Sequence, residues 1–233
     1  MKITVLSDNQ SLDPRLVAKH SLSVLVEVGF EKILFDAGID FYTLEHNTRV
    51  LDVDLSTVDY VVISHEHVPH YGGYRFIAQE APYVPTLIPY GTSEYLGLEL
   101  RQHGLKPVEV TKWVELRSDV VVSPPFYGPP YEHFLVVNHA KGLVIFTGCT
   151  HPGLQALEQV VVKLGGELYA VIGGFHLQNA PLSYIEYFAK DFAEKLRPKL
   201  VVPLHCSGKV FARKLKEYGV EVVEGGAGLK LEL

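Results

Sequence analysis

The last third of the chain repeats one unit three times, and this repeat restricts the possible folds more than any other feature. In each copy a short apolar strand runs into a polar loop that contains a histidine, and a helical pattern follows. The three copies are predicted at 144–164, 169–196 and 200–218. Strands that alternate with helices are typical of parallel strands joined by helical crossovers. The repeat therefore predicts an α/β fold in which the histidine loops follow the carboxyl ends of strands.

The rest of the chain predicts further strands and helices with less regular spacing. Strands are predicted at 3–6, 23–28, 32–35, 60–63, 86–88, 108–110, 120–122, 134–138, 220–223 and 229–231, and helices at 41–51, 72–78 and 93–102. The proline-rich stretch 123–131 is predicted to be a stiff aromatic loop, because proline lacks the amide donor that a helix or a central strand requires. No linker or low-complexity segment interrupts the pattern, so a single domain over residues 1–233 is predicted.

Histidines are concentrated where predicted strands end. The chain has 11 histidines and 2 cysteines, and histidine is the commonest metal ligand in proteins. One loop histidine would more simply be exposed or hydrogen-bonded, but several follow apolar strands beside small or turn-forming residues. They are His65, His67, His70, His151, His176 and His205. Because ligands bind beyond the carboxyl ends of strands in layered α/β folds, these side chains predict a metal site.

The run from Ser64 to His70 suggests how the metals would be held. His65 and His67 are two residues apart, so in an extended loop their rings point the same way. His70 follows where the chain turns towards a helix, and it can face a second metal. Two metals about 3.5–4 Å apart can share a hydroxide and polarise a bound oxyanion. The scarcity of carboxylate ligands favours Zn²⁺ over Mg²⁺ or Ca²⁺, with Mn²⁺ and Fe²⁺ as alternatives.

The sequence His65-Glu66-His67-Val68-Pro69-His70 resembles the His-x-His-x-Asp-His signature of the metallo-β-lactamase superfamily. The resemblance extends along the chain: residues 34–38 are similar to that family's early Asp-Gly turn, 148–151 to its third metal motif, and His205 to its last. Three motifs, at 147–153, 173–177 and 203–208, are similar to one archaeal and bacterial subfamily. That subfamily includes metal-dependent hydrolases and a methanopterin-pathway enzyme of the dihydropteroate synthase type.

The resemblance implies an αββα sandwich, in which two mixed β-sheets are flanked by helices. It implies one metal on His65, His67 and His151, and a second on His70 and His205. His176 lies near the position of the family's bridging Asp. It is expected to be a ligand of the second metal or a catalytic acid that faces the substrate.

Pro69 is the main departure from the family pattern, because it stands where the family has an Asp. That Asp normally binds the second metal and can handle the proton of the attacking water, and proline has no carboxylate to do either. Three consequences are open. The second site could be weak, His176 could take over as a ligand, or the reaction could need no activated water, as in a transferase.

Two acidic residues and two cysteines are further site candidates. Asp36 is predicted to be catalytic through a hydrogen bond to a ligand histidine, and its simpler role is to cap the turn at Gly38. Glu132, just before a predicted hairpin, is a weaker candidate. Cys149 and Cys206 adjoin proposed ligands and could bind metal as thiolates, although buried packing is the simpler role for both.

Glu66 alternates away from the two histidines that flank it, so it is expected at the surface. Four aromatic side chains could stack on an aromatic or heterocyclic substrate, and packing among themselves is the simpler alternative. They are Tyr71, Phe126, Tyr127 and Tyr131.

Composition limits the partners. The net charge is −6, the pI is near 6.0, and no long run of Lys or Arg occurs, so no nucleic-acid partner is expected. No apolar run has the length of a membrane span and the first residues lack the pattern of a signal peptide, so a cytoplasmic protein without a membrane partner is expected. The expected partner is a small-molecule substrate, phosphorylated or aromatic, and the oligomeric state stays open.

Three functions follow from these observations. The first is a metal-dependent hydrolase that acts on an ester or phosphoester through a metal-bound water. The second is a pterin-linked transferase of the methanopterin dihydropteroate synthase type, in which the metal binds a phosphate leaving group. The third is a metal-binding protein without catalytic activity. Only Pro69 favours it, and the presence of all five signature histidines argues against it.

Overall fold

The computed structural model describes residues 1–233. Within them the chain forms sixteen β-strands. In chain order they are β1 (Lys2–Ser7), β2 (Ser23–Val28), β3 (Glu31–Phe35), β4 (Tyr60–Val62), β5 (Pro85–Pro89), β6 (Lys106–Val110), β7 (Val114–Arg117), β8 (Val120–Val122), β9 (Phe126–Tyr127), β10 (Tyr131–Glu132), β11 (Leu135–His139), β12 (Gly142–Thr147), β13 (Leu168–Gly173), β14 (Leu200–Pro203), β15 (Glu221–Val222) and β16 (Lys230–Glu232).

Seven α-helices connect these strands. They are α1 (Phe41–Val50), α2 (Val68–Tyr71), α3 (Tyr74–Glu80), α4 (Leu98–Gln102), α5 (Leu154–Leu164), α6 (Leu182–Asp191) and α7 (Lys209–Glu217). A π-helical segment, Ser93–Gly97, runs into α4, and another, Phe192–Leu196, continues α6. No helix combines the length and the hydropathy that a membrane span requires.

The chain divides into two units. The first unit comprises Met1–Lys112 and Gly225–Leu233, and the second comprises Trp113–Glu224. The prediction of one domain over residues 1–233 stays a prediction.

The first unit is built on a seven-stranded mixed sheet with the order β16-β1-β2-β3-β4-β5-β6. The strands from β16 to β3 pair antiparallel, and those from β3 to β6 pair parallel. β6 contains Pro107 and lies at the edge of the sheet, where a missing amide donor costs least. The core of the first unit is formed by aliphatic side chains of the sheet together with Leu44, Phe76 and Ile77 of the helices.

The second unit is built on another seven-stranded mixed sheet, with the order β15-β14-β13-β12-β11-β8-β7. The strands from β12 to β15 pair parallel, which is the arrangement that the repeated strand–loop–helix unit predicts. Its core contains a cluster of aromatic rings from the loop after β13, from α6 and its continuation, and from α7. The rings are Phe175, Phe188, Phe192 and Phe211.

The fold prediction of two mixed sheets flanked by helices is confirmed. Three local features differ from the sequence-based expectation. The helix predicted over 72–78 is observed as α3, which begins at Tyr74, and the separate short helix α2 (Val68–Tyr71) was not predicted. The segment Val114–Arg117 was not predicted as a strand, and it pairs with β8 through an irregular register at the edge of the sheet. The proline-rich stretch is not wholly a loop, because β9 and β10 form a small antiparallel ribbon outside the two large sheets.

Candidate metal centre

The parallel strands of the second unit end level with one another. In the ladder, Thr147 pairs with Gly173, and Gly173 pairs with Pro203. The loops that follow these three residues therefore leave the sheet at the same edge, where ligands bind in layered α/β folds. His151, His176 and His205 each lie on one of these loops.

The backbone turns sharply at the strand ends of both units. Four non-glycine residues have a positive φ there: Asp36 (57°), Thr150 (57°), His176 (53°) and His205 (47°). The left-handed region is unfavourable for residues with a Cβ atom, and such strain clusters at functional sites. Two predicted ligands, His176 and His205, therefore have a backbone conformation that local preference disfavours. The same holds for Asp36, the predicted hydrogen-bond partner of a ligand histidine.

In the first unit His65, His67 and His70 lie together after β4. His65 Nε2 is 3.1 Å from His67 Nδ1, and the ring centroids of His65 and His70 are 4.0 Å apart. His65 and His70 are buried, whereas His67 is exposed. The side chains of His65 and His67, which were expected to point the same way, therefore lie next to each other.

Asp36 connects two of these histidines from behind. Its Oδ1 accepts a hydrogen bond from Ser64 N at 2.7 Å and its Oδ2 accepts one from Ser64 Oγ at 2.9 Å. Oδ2 also lies 2.6 Å from His70 Nδ1. Because the single Ser64 hydroxyl proton points to Asp36, His65 Nδ1, 2.9 Å from Ser64 Oγ, must be the donor in that contact. The protons on Nδ1 leave Nε2 of His65 and His70 as the lone-pair nitrogens.

The helix that carries His70 lies directly against the loop after β3. A Cβ atom on Gly72 would lie 1.9 Å from Ile39 O, and one on Gly73 would lie 2.1 Å from Ala37 O. Pro69 lies in the first turn of α2, where no amide donor is needed, and its carbonyl accepts a hydrogen bond from Leu22 N at 3.1 Å. Proline is therefore well suited to the backbone at this position, although it supplies no ligand.

In the second unit Glu132 organises the loop that carries His151. Its carboxylate is fully buried and accepts hydrogen bonds from five groups. They are Thr147 Oγ1 (3.0 Å) and the backbone amides of Gly148 (2.9 Å), Cys149 (2.9 Å), Thr150 (3.0 Å) and His151 (2.7 Å). Four successive amides around one carboxylate fix the loop, and with it the place of His151.

The proline-rich stretch also approaches this loop. A Cβ atom on Gly128 would lie 2.4 Å from His151 O and from Pro152 Cα, so only glycine fits there. The aromatic residues of this stretch pack on neighbouring rings. The ring centroids of Phe126 and Phe134 are 5.8 Å apart, and those of Tyr127 and Tyr131 are 5.1 Å apart. The simpler of the two roles considered for these rings, packing, is thus the one with contacts in the structure.

His176 and the two cysteines form a cluster in the same unit. His176 N donates to Cys206 Sγ at 3.1 Å, and Cys206 Sγ donates to Cys149 Sγ at 3.2 Å. The rings of His151 and His176 are 4.7 Å apart between centroids. Both cysteines are buried and reduced, whereas the His176 side chain is exposed.

Burial and hydrogen bonding shift the pKa of three of these groups. Burial raises the pKa of Asp36 well above its usual range, against the hydrogen bonds from Ser64. Burial also raises the pKa of Glu132 to about 7, against the lowering effect of its amide donors. A side-chain hydrogen bond with Cys206 raises the pKa of the His176 imidazole. Shifted pKa values are typical of functional sites.

A shallow groove of about 340 Å³ adjoins the histidine run in the first unit. Tyr71, Tyr95 and Leu98 line it together with Glu66 and Glu99. Glu66 is exposed, as its alternation with the histidines predicted. The groove thus combines aromatic surface with negative charge.

The sequence did not predict two features of the centre. Glu132 was considered a weak site candidate, and its role as acceptor for four loop amides depends on contacts 16 to 19 residues away. The 3.2 Å approach of Cys149 and Cys206, 57 residues apart, was likewise not predictable from spacing. The available signals were an acid directly before the hairpin and a cysteine beside each of two predicted ligands.

The donor set fits a zinc-type metal. Two nitrogens on one tetrahedral zinc, at bond lengths of about 2.0–2.1 Å, lie about 3.3 Å apart. The 3.1 Å between His65 Nε2 and His67 Nδ1 is close to this separation. Imidazole and thiolate are ligands that suit zinc, and the Asp36–His70 contact is the carboxylate–histidine pair that orients ligand rings at metal sites.

Comparison with known sequences agrees with this chemistry. Residues 17–205 match the model of the metallo-beta-lactamase superfamily. An uncharacterized protein of Methanocaldococcus jannaschii, MJ0448, is 28% identical over 92% of this chain and 94% of its own length. The 7,8-dihydropterin-6-methyl-4-(beta-D-ribofuranosyl)-aminobenzene-5'-phosphate synthase of the same organism is 25% identical over 92% of this chain and 91% of its own length.

Solved structures show the same fold. Tm1679, described as a metal-dependent hydrolase of the beta-lactamase superfamily, superposes with a TM-score of 0.84 and 26% sequence identity over 100% of this chain and 99% of its own. The short form of human tRNase Z superposes with a TM-score of 0.68 over 100% of this chain and 99% of its own, at 14% identity. At that identity the second likeness concerns the fold alone.

Proposed function

Because the chain belongs to the metallo-β-lactamase superfamily, we propose that it is a metal-dependent hydrolase that cleaves an ester or a phosphoester. The observation that carries this proposal is the 3.1 Å approach of His65 Nε2 and His67 Nδ1. Ser64 Oγ contacts the other ring nitrogen of His65, and Asp36 holds Ser64 in place. The likeness to Tm1679, described as a metal-dependent hydrolase, supports it.

The family pattern assigns His65, His67 and His151 to one metal and His70 and His205 to the other. When bound, such metals lower the pKa of a water and polarise the oxygen of the scissile group. Zn²⁺ suits these ligands best, with Mn²⁺ or Fe²⁺ as alternatives.

The surrounding residues hold the ligands in place. Asp36 accepts the proton of His70 Nδ1, which fixes both the tautomer and the orientation of that ring. Glu132 holds the amides of the His151 loop. These two acids are positioning residues, since both are fully buried and cannot reach a substrate.

His176 is the best placed of the predicted residues to exchange a proton with a substrate. Its side chain is exposed, and the hydrogen bond with Cys206 raises its pKa. A raised pKa increases the protonated fraction of a histidine, and a protonated histidine can give its proton to a leaving alkoxide. We assign it this acid role ahead of a ligand role.

The substrate that we propose is a small molecule in the cytoplasm. The groove beside the histidine run offers Tyr71 and Tyr95 to an aromatic group. Its acidic residues Glu66, Glu94 and Glu99 would repel a second phosphate, so a substrate with one phosphoester or carboxylic ester fits better than a polyphosphate.

Metal analysis and a substrate panel test the hydrolase proposal. Purified protein should contain at least one metal per chain. It should hydrolyse at least one of p-nitrophenyl phosphate, bis-p-nitrophenyl phosphate and p-nitrophenyl acetate when loaded with Zn²⁺, Mn²⁺ or Fe²⁺. His67→Ala should abolish turnover, whereas the control His46→Ala, at an exposed histidine of α1, should not. Full activity in metal-free protein would refute the proposal.

A pterin-linked synthase is the second candidate, because one relative is a dihydropterin-aminobenzene-phosphate synthase that aligns with 92% of this chain. The missing Asp at Pro69 fits a transfer reaction, which needs no activated water. The test is condensation of a dihydropterin pyrophosphate with an aminobenzene ribofuranosyl phosphate under reducing, metal-replete conditions. Product here, with no activity on the ester panel, would replace the hydrolase proposal. Bound metal with activity in neither assay would favour a non-catalytic metal-binding protein.

A further inference from the structure

Cys149 lies among the predicted ligands of the second unit. Its Sγ is within 4.8 Å of a ring nitrogen of His151 and within 4.8 Å of a ring nitrogen of His205. The side chain is 3% exposed, so the sulfur is held within the protein. The family pattern places His151 and His205 on different metals, and the Cys149 sulfur is close to both histidines.

Contacts with Cys206 and Glu132 hold Cys149 in place. Cys206 Sγ receives the amide proton of His176 at 3.1 Å and donates to Cys149 Sγ at 3.2 Å. The backbone amide of Cys149 donates to the Glu132 carboxylate at 2.9 Å, which fixes the residue in the loop. The Cys149 sulfur is therefore held close to the ring nitrogens of His151 and His205.

The predicted ligand set lacks negative charge. All six ligands predicted from the sequence are imidazoles, and Pro69 removes the carboxylate that the family has in its first motif. Two divalent cations bound only by neutral ligands in a buried site would lack charge compensation. A thiolate supplies one negative charge and is a good ligand for zinc.

We propose that the Cys149 sulfur is a metal ligand beside His151 and His205 and, as a thiolate, supplies the negative charge that Pro69 cannot. This proposal rests on the metal centre of the proposed function. On metal binding the S–H bond of Cys149 breaks, sulfur–metal bonds form, and the proton leaves to solvent. Cys206 is the hydrogen-bond donor that positions the sulfur and does not itself bind a metal.

Cobalt substitution tests the proposal without any activity assay. Metal-free protein, kept reduced with a phosphine, is titrated with Co²⁺ while the near-ultraviolet thiolate-to-cobalt charge-transfer band is recorded. The wild type should develop this band, Cys149→Ser should lose it, and Cys206→Ser, at the other buried sulfur, should retain it. Cys149→Asp should bind as much Co²⁺ as the wild type without the band, because a carboxylate replaces the thiolate. Circular dichroism of each metal-free variant checks that it is folded.

Two results would overturn the proposal. A wild type that binds Co²⁺ and shows no thiolate band would exclude cysteine ligands, and the hydrolase proposal would survive if activity persists. A band lost in both Cys206→Ser and His176→Ala as well as in Cys149→Ser would show a separate Cys149–His176–Cys206 site, whose ligand atoms all lie within 4.8 Å of one another. Loss of all Co²⁺ binding in His67→Ala alone would support the metal centre of the proposed function, whereas the charge-transfer band decides the role of Cys149.

Discussion

Asp36 Oδ2 lies 2.6 Å from His70 Nδ1, and neither side chain is more than 1% exposed. The carboxylate also accepts two hydrogen bonds from Ser64, whose hydroxyl contacts His65 Nδ1. One buried acid therefore controls the ring orientation of two predicted ligands.

Replacing Asp36 by Asn should weaken metal binding about 10–100-fold, the usual effect of losing the carboxylate behind a ligand histidine. The new amide group would direct N–H protons at His70 Nδ1–H or at Ser64 Oγ, so donors would face donors. Competition titration with a metal chelator measures the effect. Asp52→Asn is the matched control, because Asp52 is exposed and its φ of 54° suits asparagine. Equal metal affinity in the two variants would contradict this role of Asp36.

Replacing Pro69 by Asp should strengthen binding of the second metal and raise hydrolytic turnover. Acidic residues are favourable in the first turn of a helix, so α2 should tolerate the change. Pro69→Ala removes the ring without adding a carboxylate and serves as the control. The measurement is metal per chain at limiting Zn²⁺, together with turnover on the ester panel. If Pro69→Asp behaves like Pro69→Ala, the missing Asp is not what limits the second metal.

Gly72→Ala should destabilise the fold by roughly 3 kcal/mol or more, because the new Cβ would lie 1.9 Å from Ile39 O and the backbone would have to move. The movement would pull α2, and with it His70, away from Asp36. Gly97→Ala is the control, since the nearest atom to its Cβ would be the end of the flexible Ile88 side chain, at 3.1 Å, and its other contacts would be ordinary ones. Chemical denaturation compares the two, and similar losses would count against the close approach of α2.

Glu132→Ala should also be strongly destabilising, by roughly 3 kcal/mol or more, because several buried donors would lose their acceptor at about 1–3 kcal/mol each. Glu132→Gln should cost less, since Oε1 retains four of the five donors and only the His151 amide would face the new amide group. The exposed Glu221→Ala should change the unfolding free energy by less than about 0.5 kcal/mol. Denaturant unfolding of the metal-free proteins separates the three cases, and a neutral Glu132→Ala would be the contrary result.

Asp40 should give the first unit a measurable acid sensitivity. Burial raises the pKa of its carboxyl, but hydrogen bonds from Lys19 and Thr43 outweigh this and leave the pKa below 3.8. A lowered folded-state pKa means that the stabilisation is complete above the unfolded-state pKa and is lost as pH falls through the folded-state pKa. Asp40→Ser keeps an N-cap for α1 but loses the charge. Its stability deficit should therefore be present at neutral pH and shrink in strong acid, and a deficit that does not change with pH would contradict the shift.

Local patterns in the sequence predicted much of the fold and part of the centre. The strands before His65, His151, His176 and His205 were predictable because each is a short apolar run that ends in turn-forming residues. A contact between Asp36 and a ligand histidine was also predictable in kind, since a ligand histidine usually donates its second N–H to a carboxylate, a carbonyl or water. Which of the histidines it contacts, His70, was not.

The contacts that could not be predicted depend on long-range packing. Glu132 meets the His151 loop only because β11 and β12 pair antiparallel and bring residue 132 back beside residues 147–151. Cys149 and Cys206 meet only because β12, β13 and β14 end level in the ladder. Neither strand register nor strand order is encoded in a local pattern. β7 was missed for a similar reason, because its pairing with β8 is irregular and at an edge.

The left-handed conformations of Asp36, Thr150, His176 and His205 have a consequence for engineering this chain. At each of these positions glycine would relieve backbone strain of about 1–3 kcal/mol. A search for thermostable variants that scores only folding energy would therefore favour glycine in place of Thr150, His176 and His205, which lie next to the metal centre. It would also favour glycine in place of Asp36, which orients the ring of His70. Selection for stability and selection for chemistry act in opposite directions at these four strand ends. A library that holds them constant should gain stability elsewhere without emptying the site.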